Sequence, residues 1–207
     1  MESGVLDIII GKGPSARTIQ LDLPAFTLIA ATTRISMVSS PLRSRFSGGV
    51  FKLEFYSHSE IEKIIERSAH ILGVEIDKGG INEIAKRSRS TPRTSNHFLK
   101  RARDYAQVKK IPLTNKVVSE ALALLGVDEL GLFPADRLIL ETIVTKYKGG
   151  PVGLNTISAA LSEEQATIEE YHEPYLIQLG LIERTPRGRS VTERGYGHIG
   201  IDFPIDK

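Results

Sequence analysis

Three places in the sequence carry residues whose types and spacing suit contact with a transferred phosphate. Thr32-Thr33-Arg34 follows the apolar run 26–31, and open α/β sheets bind ligands at the carboxyl ends of their strands. Arg43 and Arg45 flank a predicted turn, and an arginine at a subunit edge can stabilise phosphoryl transfer in a neighbouring subunit. Arg93 places a cation in the first turn of a predicted helix, where the dipole favours anions. The alternatives are that the threonines cap the next segment and that the arginines form surface ion pairs.

No phosphate-binding loop accompanies these residues in the sequence. A P-loop follows the pattern G-x-x-x-x-G-K-[ST], because glycine amides and the lysine bind phosphate. Gly11-Lys12-Gly13 has no Ser or Thr after the lysine and falls in a predicted hairpin turn. Asp128-Glu129 ends an apolar run in the way of a magnesium-binding pair, but that run is predicted to be helical, and the five histidines have no metal-ligand spacing. The sequence therefore predicts neither a nucleotide cradle nor a metal site.

Positive charge is concentrated in two segments that suit nucleic-acid binding. Nine Lys or Arg and one acidic residue lie in 86–110, a surface that could bind phosphates, form a ring interface or be solvated. Segment 154–183 has several glutamates and no Lys or Arg, so it is a poor reader of the major groove. We expect sequence-independent, salt-sensitive DNA contact through three arginines around the Pro/Gly turn that follows: Arg184, Arg187 and Arg189.

The composition excludes several classes of protein. The 207 residues are 41% hydrophobic, which is enough to bury a core. The absence of cysteine excludes a disulfide scaffold, a thiol nucleophile and a Cys-ligated zinc site. The apolar runs are far shorter than the roughly 20 residues that span a bilayer, and the first residues do not have the pattern of a signal peptide. We therefore expect a soluble, cytoplasmic protein without a membrane partner.

Changes in hydrophobic period divide the chain into three predicted domains, 1–56, 57–130 and 131–207. The first alternates as strands: a hairpin over Leu6–Leu23, a buried strand at 26–31 and another at 51–55. The second has a helical period with four helices. The third has three helices and a terminal hairpin, the outline of a winged helix. The fold class is therefore α/β plus all-α.

Capping signals predict where several helices begin. Ser57 and Glu60 have the spacing of a capping box, and Gly73 ends the helix that follows. Thr91-Pro92 opens the third helix, with Thr as N-cap and Pro at the first helical position. The pattern over Thr167–Leu179 predicts one continuous helix in the third domain.

Six motifs together resemble the bacterial RuvB family, and they occur in the family's order along the whole chain. They are Leu28–Arg34, Ser40–Phe46, Arg87–Arg93, Gly149–Leu154, Glu173–Gln178 and Arg184–Arg189. RuvB proteins are AAA+ motors that use ATP to drive branch migration of Holliday junctions. The resemblance implies the remainder of an AAA+ parallel-sheet core with a β-hairpin, then a helical lid domain and a C-terminal winged helix.

The resemblance also implies roles for particular residues. Thr33 would be the sensor-1 residue that reads the γ-phosphate, and Arg93 the sensor-2 arginine. Arg45 would be the arginine finger in the neighbouring subunit's site, with Arg43 as the alternative finger. The hairpin Leu6–Leu23 would dock onto RuvA, within a homo-hexameric ring that uses ATP and Mg²⁺. Four-way junction or duplex DNA would be held, irrespective of its sequence, by Arg184, Arg187 and Arg189.

The chain departs from the family pattern at several points. We expect it to begin downstream of the family's Walker A and Walker B motifs, and therefore to be inactive alone. Ser47-Gly48-Gly49 is one residue longer than usual, and Ser90 stands where the family usually has Gly before Thr-Pro-Arg. The alternative hypothesis is a non-enzymatic winged-helix DNA-binding or adaptor module derived from a truncated motor. A transcription regulator is a third, which the acidic segment disfavours.

Overall fold

A computed structural model of the protein describes residues 4–11, 17–46 and 48–204. These residues form two compact units, the first ending at Leu53 and the second beginning at Glu54. Each contains both helical and extended segments, so the mixed fold class is confirmed. None of the helices in the described ranges is long and apolar enough to cross a membrane.

The first unit contains an antiparallel hairpin of β1 (Val5–Ile10) and β2 (Arg17–Asp22). Val5 pairs with Asp22 and Ile10 with Arg17, which confirms the predicted hairpin. The turn at 12–16 lies outside the described residues. Two strands cannot cover both of their own faces, so the apolar side chains of the hairpin stay exposed: Leu6, Ile8, Ile9, Ile10, Ile19 and Leu21.

The strands predicted at 26–31 and 51–55 are not formed. Both segments lack regular secondary structure, and Ile29 and Leu53 are each 89% exposed. A parallel strand needs hydrogen-bonded neighbours on the sheet, and among the described residues of this unit the hairpin strands pair only with each other. These two predictions were wrong because an apolar run cannot show whether a partner strand is present. The rest of the unit has a 3₁₀ turn, Ile35–Met37, and the short helix α1, Ser40–Arg43.

Four helices form the first part of the second unit: α2 (His58–Ile71), α3 (Lys78–Arg87), α4 (Pro92–Lys109) and α5 (Asn115–Leu124). Their apolar faces meet in one core around Ile61, Ile65 and Phe98. The predicted capping box is confirmed, since the Ser57 amide donates to Glu60 at 2.8 Å and the Glu60 amide donates to the Ser57 hydroxyl at 3.4 Å. We call this four-helix part the lid.

The remainder of the second unit forms a separate core from helices and a hairpin. Its elements are α6 (Pro134–Tyr147), α7 (Leu154–Leu161), α8 (Gln165–Thr167), a π turn (Ile168–His172), α9 (Glu173–Gln178), β3 (Ile182–Thr185), β4 (Gly188–Val191) and α10 (Glu193–His198). Val152 and Arg189 exchange two backbone hydrogen bonds, of 2.9 and 2.8 Å, which add a third extended segment beside β4. Helices followed by such a hairpin are the winged-helix arrangement.

The helix predicted over Thr167–Leu179 is present and contains a π turn at Ile168–His172. Pro174 has no amide hydrogen and cannot make the helical bond to residue 170. The wider turn places the side chain of His172 in the interior, where it is 6% exposed. The predicted helix is therefore confirmed, with a local π irregularity that buries the His172 side chain.

Candidate functional site

Thr33, Arg43 and Arg45 are all exposed in the first unit. Thr33 lies in a bend and not at the end of a strand, because the predicted strand before it is not formed. The Arg34 amide donates to the Thr32 hydroxyl at 3.0 Å, which is the local turn-forming role weighed as the alternative. The roles expected for these residues stay predictions.

The two arginines of the first unit are carried on a compact turn. Arg43 is the last residue of α1, and the Arg45 amide donates to the Leu42 carbonyl at 3.2 Å. The Phe46 amide then donates to the Arg43 carbonyl at 3.1 Å. Backbone bonds therefore fix the path of the chain at both candidate finger positions, whose side chains are exposed.

Arg93 is exposed at the second position of α4. Thr91 is the N-cap and Pro92 the first helical residue, as predicted. The Thr91 hydroxyl, however, donates to the Ser88 carbonyl at 3.1 Å and lies 2.8 Å from the Thr94 hydroxyl, and it caps no amide of α4. Within the described residues no ion pair holds the Arg93 guanidinium, so its charge faces solvent at the positive end of the helix dipole.

The residues that lead into α4 adopt left-handed backbone conformations, with φ of 55° at Arg89 and 53° at Ser90. A side chain with a Cβ atom is disfavoured there, whereas glycine is not. This conformation explains why glycine suits the position of Ser90.

We expect Ser90→Gly to raise the free energy of unfolding by about 0.5–1 kcal/mol, because it relieves this backbone strain. Urea unfolding followed by circular dichroism measures the change. Ser90→Ala is the matched control, since it removes the hydroxyl but keeps the Cβ atom, and it should bring no gain. Equal stability of the Gly and Ala variants would contradict the explanation.

The basic segment 86–110 is not one continuous surface. Arg87 is buried in an ion pair with Glu83, and Arg89 in an ion pair with Asp136. Another pair of arginines shares Asp104, at 3.6 Å from Arg101 and 2.7 Å from Arg103. The cations of this segment are therefore divided between interior ion pairs and an exposed face of α4.

Asp136 is the centre of a buried polar cluster that sequence reasoning missed. Its carboxylate is 0% exposed, pairs with the Arg89 guanidinium and accepts a bond from the Phe133 amide at 2.6 Å. Nδ1 of His172 lies 2.7 Å from the other carboxylate oxygen. Arg89 Nε also donates to the Gly131 carbonyl at 3.0 Å. One carboxylate thus joins the end of the lid helix α3, the start of α6 and the π turn.

Aromatic rings complete the surroundings of the Arg89 guanidinium. Its central carbon lies 4.5 Å from the ring centre of Phe133, 4.6 Å from that of Tyr175 and 5.7 Å from that of Tyr171. Such contacts stabilise a cation, the more so away from water. The Tyr175 hydroxyl donates to the Leu130 carbonyl at 2.6 Å, and burial raises the pKa of this tyrosine. We call Arg89, Asp136, His172 and these three rings the junction cluster.

The pKa of Asp136 is held below its ordinary value. Burial by itself would raise the pKa, but the hydrogen bond with His172, the charge of Arg89 and the Phe133 amide together outweigh it. The carboxylate is therefore ionised in the folded protein at neutral pH, as its pairing with a buried guanidinium requires.

The stabilisation contributed by Asp136 should depend on pH. Because its pKa is lower in the folded chain, the contribution is complete above the unfolded value of 3.8 and is lost as the pH falls toward the folded value. We expect the stability difference between the unaltered chain and Asp136→Asn to shrink below about pH 4. Urea unfolding of both proteins across that range measures it, and a difference that stays constant would contradict the assignment.

Asp128 has a structural role in the connection between the lid and the winged helix. Its Oδ1 accepts bonds from the amides of Leu130 at 3.0 Å and Leu132 at 2.9 Å. Its Oδ2 lies 3.3 Å from Arg137 and 2.9 Å from Nε2 of His198. Both carboxylate oxygens of Asp128 therefore hold the loop between the two domains.

The arginines of the wing differ in exposure. Arg187 is exposed in the turn between β3 and β4. Arg184 is partly held by Glu169, to which it donates at 3.0 Å, but its side chain is 57% exposed. Arg189 is only 8% exposed, and its Nε and Nη2 donate to one oxygen of Glu173 at 3.1 and 2.8 Å. The guanidinium therefore connects β4 to α9 in the interior, and DNA contact by Arg189 stays an untested prediction.

The residues present do not by themselves fit ATP and Mg²⁺. In the ranges that the structure describes, no group of three or more His, Asp or Glu side chains could hold a metal ion. The sequence contains no G-x-x-x-x-G-K-[ST] motif to bind phosphates.

A four-helix lid followed directly by a winged helix is the domain order that the sequence resemblance implies for the second unit. Three family models match the chain in order: the Holliday junction DNA helicase RuvB P-loop domain at 1–52, the RuvB AAA lid domain at 56–128 and the RuvB C-terminal winged helix domain at 129–200. The chain belongs to the RuvB family.

Relatives of known identity agree with this assignment. The Holliday junction branch migration complex subunit RuvB of Dehalococcoides mccartyi (strain CBDB1) is 55% identical over 208 residues, which are 100% of this chain and 59% of the relative. The solved Thermotoga maritima RuvB Holliday junction branch migration motor is 45% identical with a TM-score of 0.77, over 82% of this chain and 57% of that one. A lysine-to-arginine variant of the Thermotoga maritima protein is 46% identical with a TM-score of 0.81, over 89% of this chain and 61% of that one. The chain spans about three fifths of these proteins' length.

Proposed function

We propose that this chain works as part of a RuvB-type motor subunit in ATP-driven branch migration of Holliday junctions. The observation that carries the proposal is the unbroken order of three RuvB domain models across residues 1–200. The identity of 55% over the whole chain supports it. The partners would be four-way junction DNA, further subunits in a hexameric ring, and a RuvA-like protein.

The hairpin of β1 and β2 is the proposed docking element for the RuvA-like protein. Its support is the exposed apolar surface, with Ile9 71% and Ile10 55% exposed. Side chains of this kind gain free energy when a partner removes them from water. A paired hairpin presents them on a defined register, so the partner would meet a preformed surface.

The nucleotide-related roles are divided between the two units. Arg45 would supply positive charge to the nucleotide site of a neighbouring subunit, with Arg43 as the alternative, and Thr33 would read the γ-phosphate as the sensor-1 residue. Arg93 would report nucleotide from the lid. A chain without a phosphate loop would depend on P-loop residues elsewhere, so we expect the 207-residue chain alone to hydrolyse no ATP.

DNA would be held at the wing by Arg187 and Arg184. Both are exposed and meet phosphates without reading bases, which suits a protein that moves along DNA of any sequence. Glu169 competes with phosphate for Arg184, while the buried pair of Arg189 and Glu173 keeps the hairpin in place.

We expect Arg187→Ala to weaken DNA binding equally for four-way junctions and for duplexes of different sequence, and to reduce the salt slope by about one. The reason is the loss of one phosphate contact. Fluorescence anisotropy between about 50 and 200 mM salt measures both effects. Lys116→Ala, which removes an exposed charge from α5 of the lid, is the control and should change little. Strong preference of the unaltered chain for one duplex sequence would contradict the proposed function.

A further inference from the structure

The connection between the lid and the winged helix is built from partly buried polar contacts. Domains in one chain are usually joined by exposed linkers that few contacts cross, and they move relative to one another by default. Here the Arg137 guanidinium donates to the carbonyls of Gly126 at 3.0 Å and Leu132 at 3.1 Å. With the bonds to Asp128, these contacts fix the path of the chain between α5 and α6.

The end of α3 packs directly on this connection. Gly131 has a φ of 75°, and a Cβ atom added there would collide with the backbone carbonyl of Arg87. Arg87 in turn donates to the Val127 carbonyl at 3.4 Å. The lid backbone and the connection therefore approach so closely that no side chain fits between them.

The junction cluster crosses the same boundary. Arg89 belongs to the lid, whereas Asp136 and His172 belong to the winged helix, 47 and 83 residues further along. Both the left-handed residue Arg89 and the π turn that carries His172 are irregular backbone, and both direct a side chain to the one Asp136 carboxylate. Irregular backbone of this kind persists only where the surrounding contacts hold it.

We propose that the junction cluster fastens the lid and the winged helix into one rigid body, with Arg89 as the positioning residue. Helix α4 begins three residues after Arg89, so the cluster holds Arg93 and the wing in a fixed relation. When α4 moves, the wing then moves with it, because no flexible linker separates the two domains. The inference concerns a mechanical property and goes beyond the proposed function.

The experiment measures the distance between the lid and the wing in the full chain. The chain has no cysteine, so Lys116→Cys on α5 and Glu183→Cys on β3 take spin labels at two defined, exposed positions. Pulsed electron paramagnetic resonance gives the distance distribution. We expect a single narrow distribution, which Arg89→Ala broadens by about two-fold or more because the domains then move independently.

Controls separate positioning from general loss of stability. Ile65→Ala removes a fully buried side chain from the core of the lid, and it should destabilise the protein without broadening the distribution. Arg89→Lys keeps the charge, so its distance distribution should be narrower than that of Arg89→Ala. If circular dichroism shows that Arg89→Ala is unfolded, the same distance measurement on the milder variant His172→Gln tests the proposal instead. A folded Arg89→Ala or His172→Gln protein with an unchanged narrow distribution overturns the proposal.

Discussion

Replacing Asp136 with alanine is expected to lower the free energy of unfolding of the lid and winged helix by about 3–5 kcal/mol. The substitution leaves the Arg89 guanidinium buried without a countercharge and removes the acceptor of the Phe133 amide. An uncompensated buried charge is among the costliest single changes in a folded protein, and total stability is only about 5–15 kcal/mol. Urea unfolding at neutral pH, followed by circular dichroism, measures the loss.

Asp104→Ala is the matched control for this change. Asp104 is also a carboxylate paired with arginine, and its hydrogen bond with Arg103 likewise lowers its pKa, but the pair is exposed on α4. Exposed pairs contribute about 0–1 kcal/mol. Combining Asp136→Ala with Arg89→Met should recover part of the loss, since it removes the stranded charge. Equal effects of the Asp136 and Asp104 substitutions would contradict the account of the junction cluster.

Arg45→Ala is expected to have the largest effect on activity. If Arg45 completes the nucleotide site of a neighbouring subunit, its loss should slow ATP hydrolysis at that interface by about 10³–10⁵-fold. The test mixes this chain with a full-length RuvB that keeps its P-loop but has its own finger arginine replaced by alanine. The unaltered chain should restore hydrolysis, and the Arg45→Ala chain should not.

Arg43→Ala is the control in the same mixture, because both arginines lie on the compact turn at the end of α1. It should leave the restored rate nearly unchanged. Loss of activity in Arg43→Ala with full activity in Arg45→Ala would show that the finger assignment is wrong. Co-sedimentation of the two chains establishes that each variant still assembles.

The helices could be predicted because their signals are local. The Ser57–Glu60 capping box and the Thr91-Pro92 start need only neighbouring residues, and both lie where the pattern indicates. Local signals could not show whether the strands at 26–31 and 51–55 form, because a strand needs a hydrogen-bonded partner and the hydrophobic period does not reveal one. The π turn was hidden for a similar reason, although Pro174 marks a break in helical bonding.

The sequence predicted the candidate site residues correctly where only their exposure to solvent was in question. Arg93 and Arg187 are exposed, as their helix start and tight turn suggest. The sequence does carry a signal for the burial of Arg189, because this residue lies two positions before the apolar Val191 on the same strand and alternate residues share a face. The junction cluster has no signal in the sequence, because Arg89 and Asp136 are 47 residues apart and meet only when both domains have folded.

The most direct test of the account is nucleotide binding by the purified 207-residue chain. The central claim is that this chain supplies a finger arginine, a lid and a DNA-binding wing, but no phosphate-binding loop. A fluorescent ATP analogue titrated with Mg²⁺ is therefore predicted not to bind, with or without Arg93→Ala. Micromolar binding that disappears in the Arg93→Ala chain would contradict the claim, because the lid would then hold nucleotide without a P-loop.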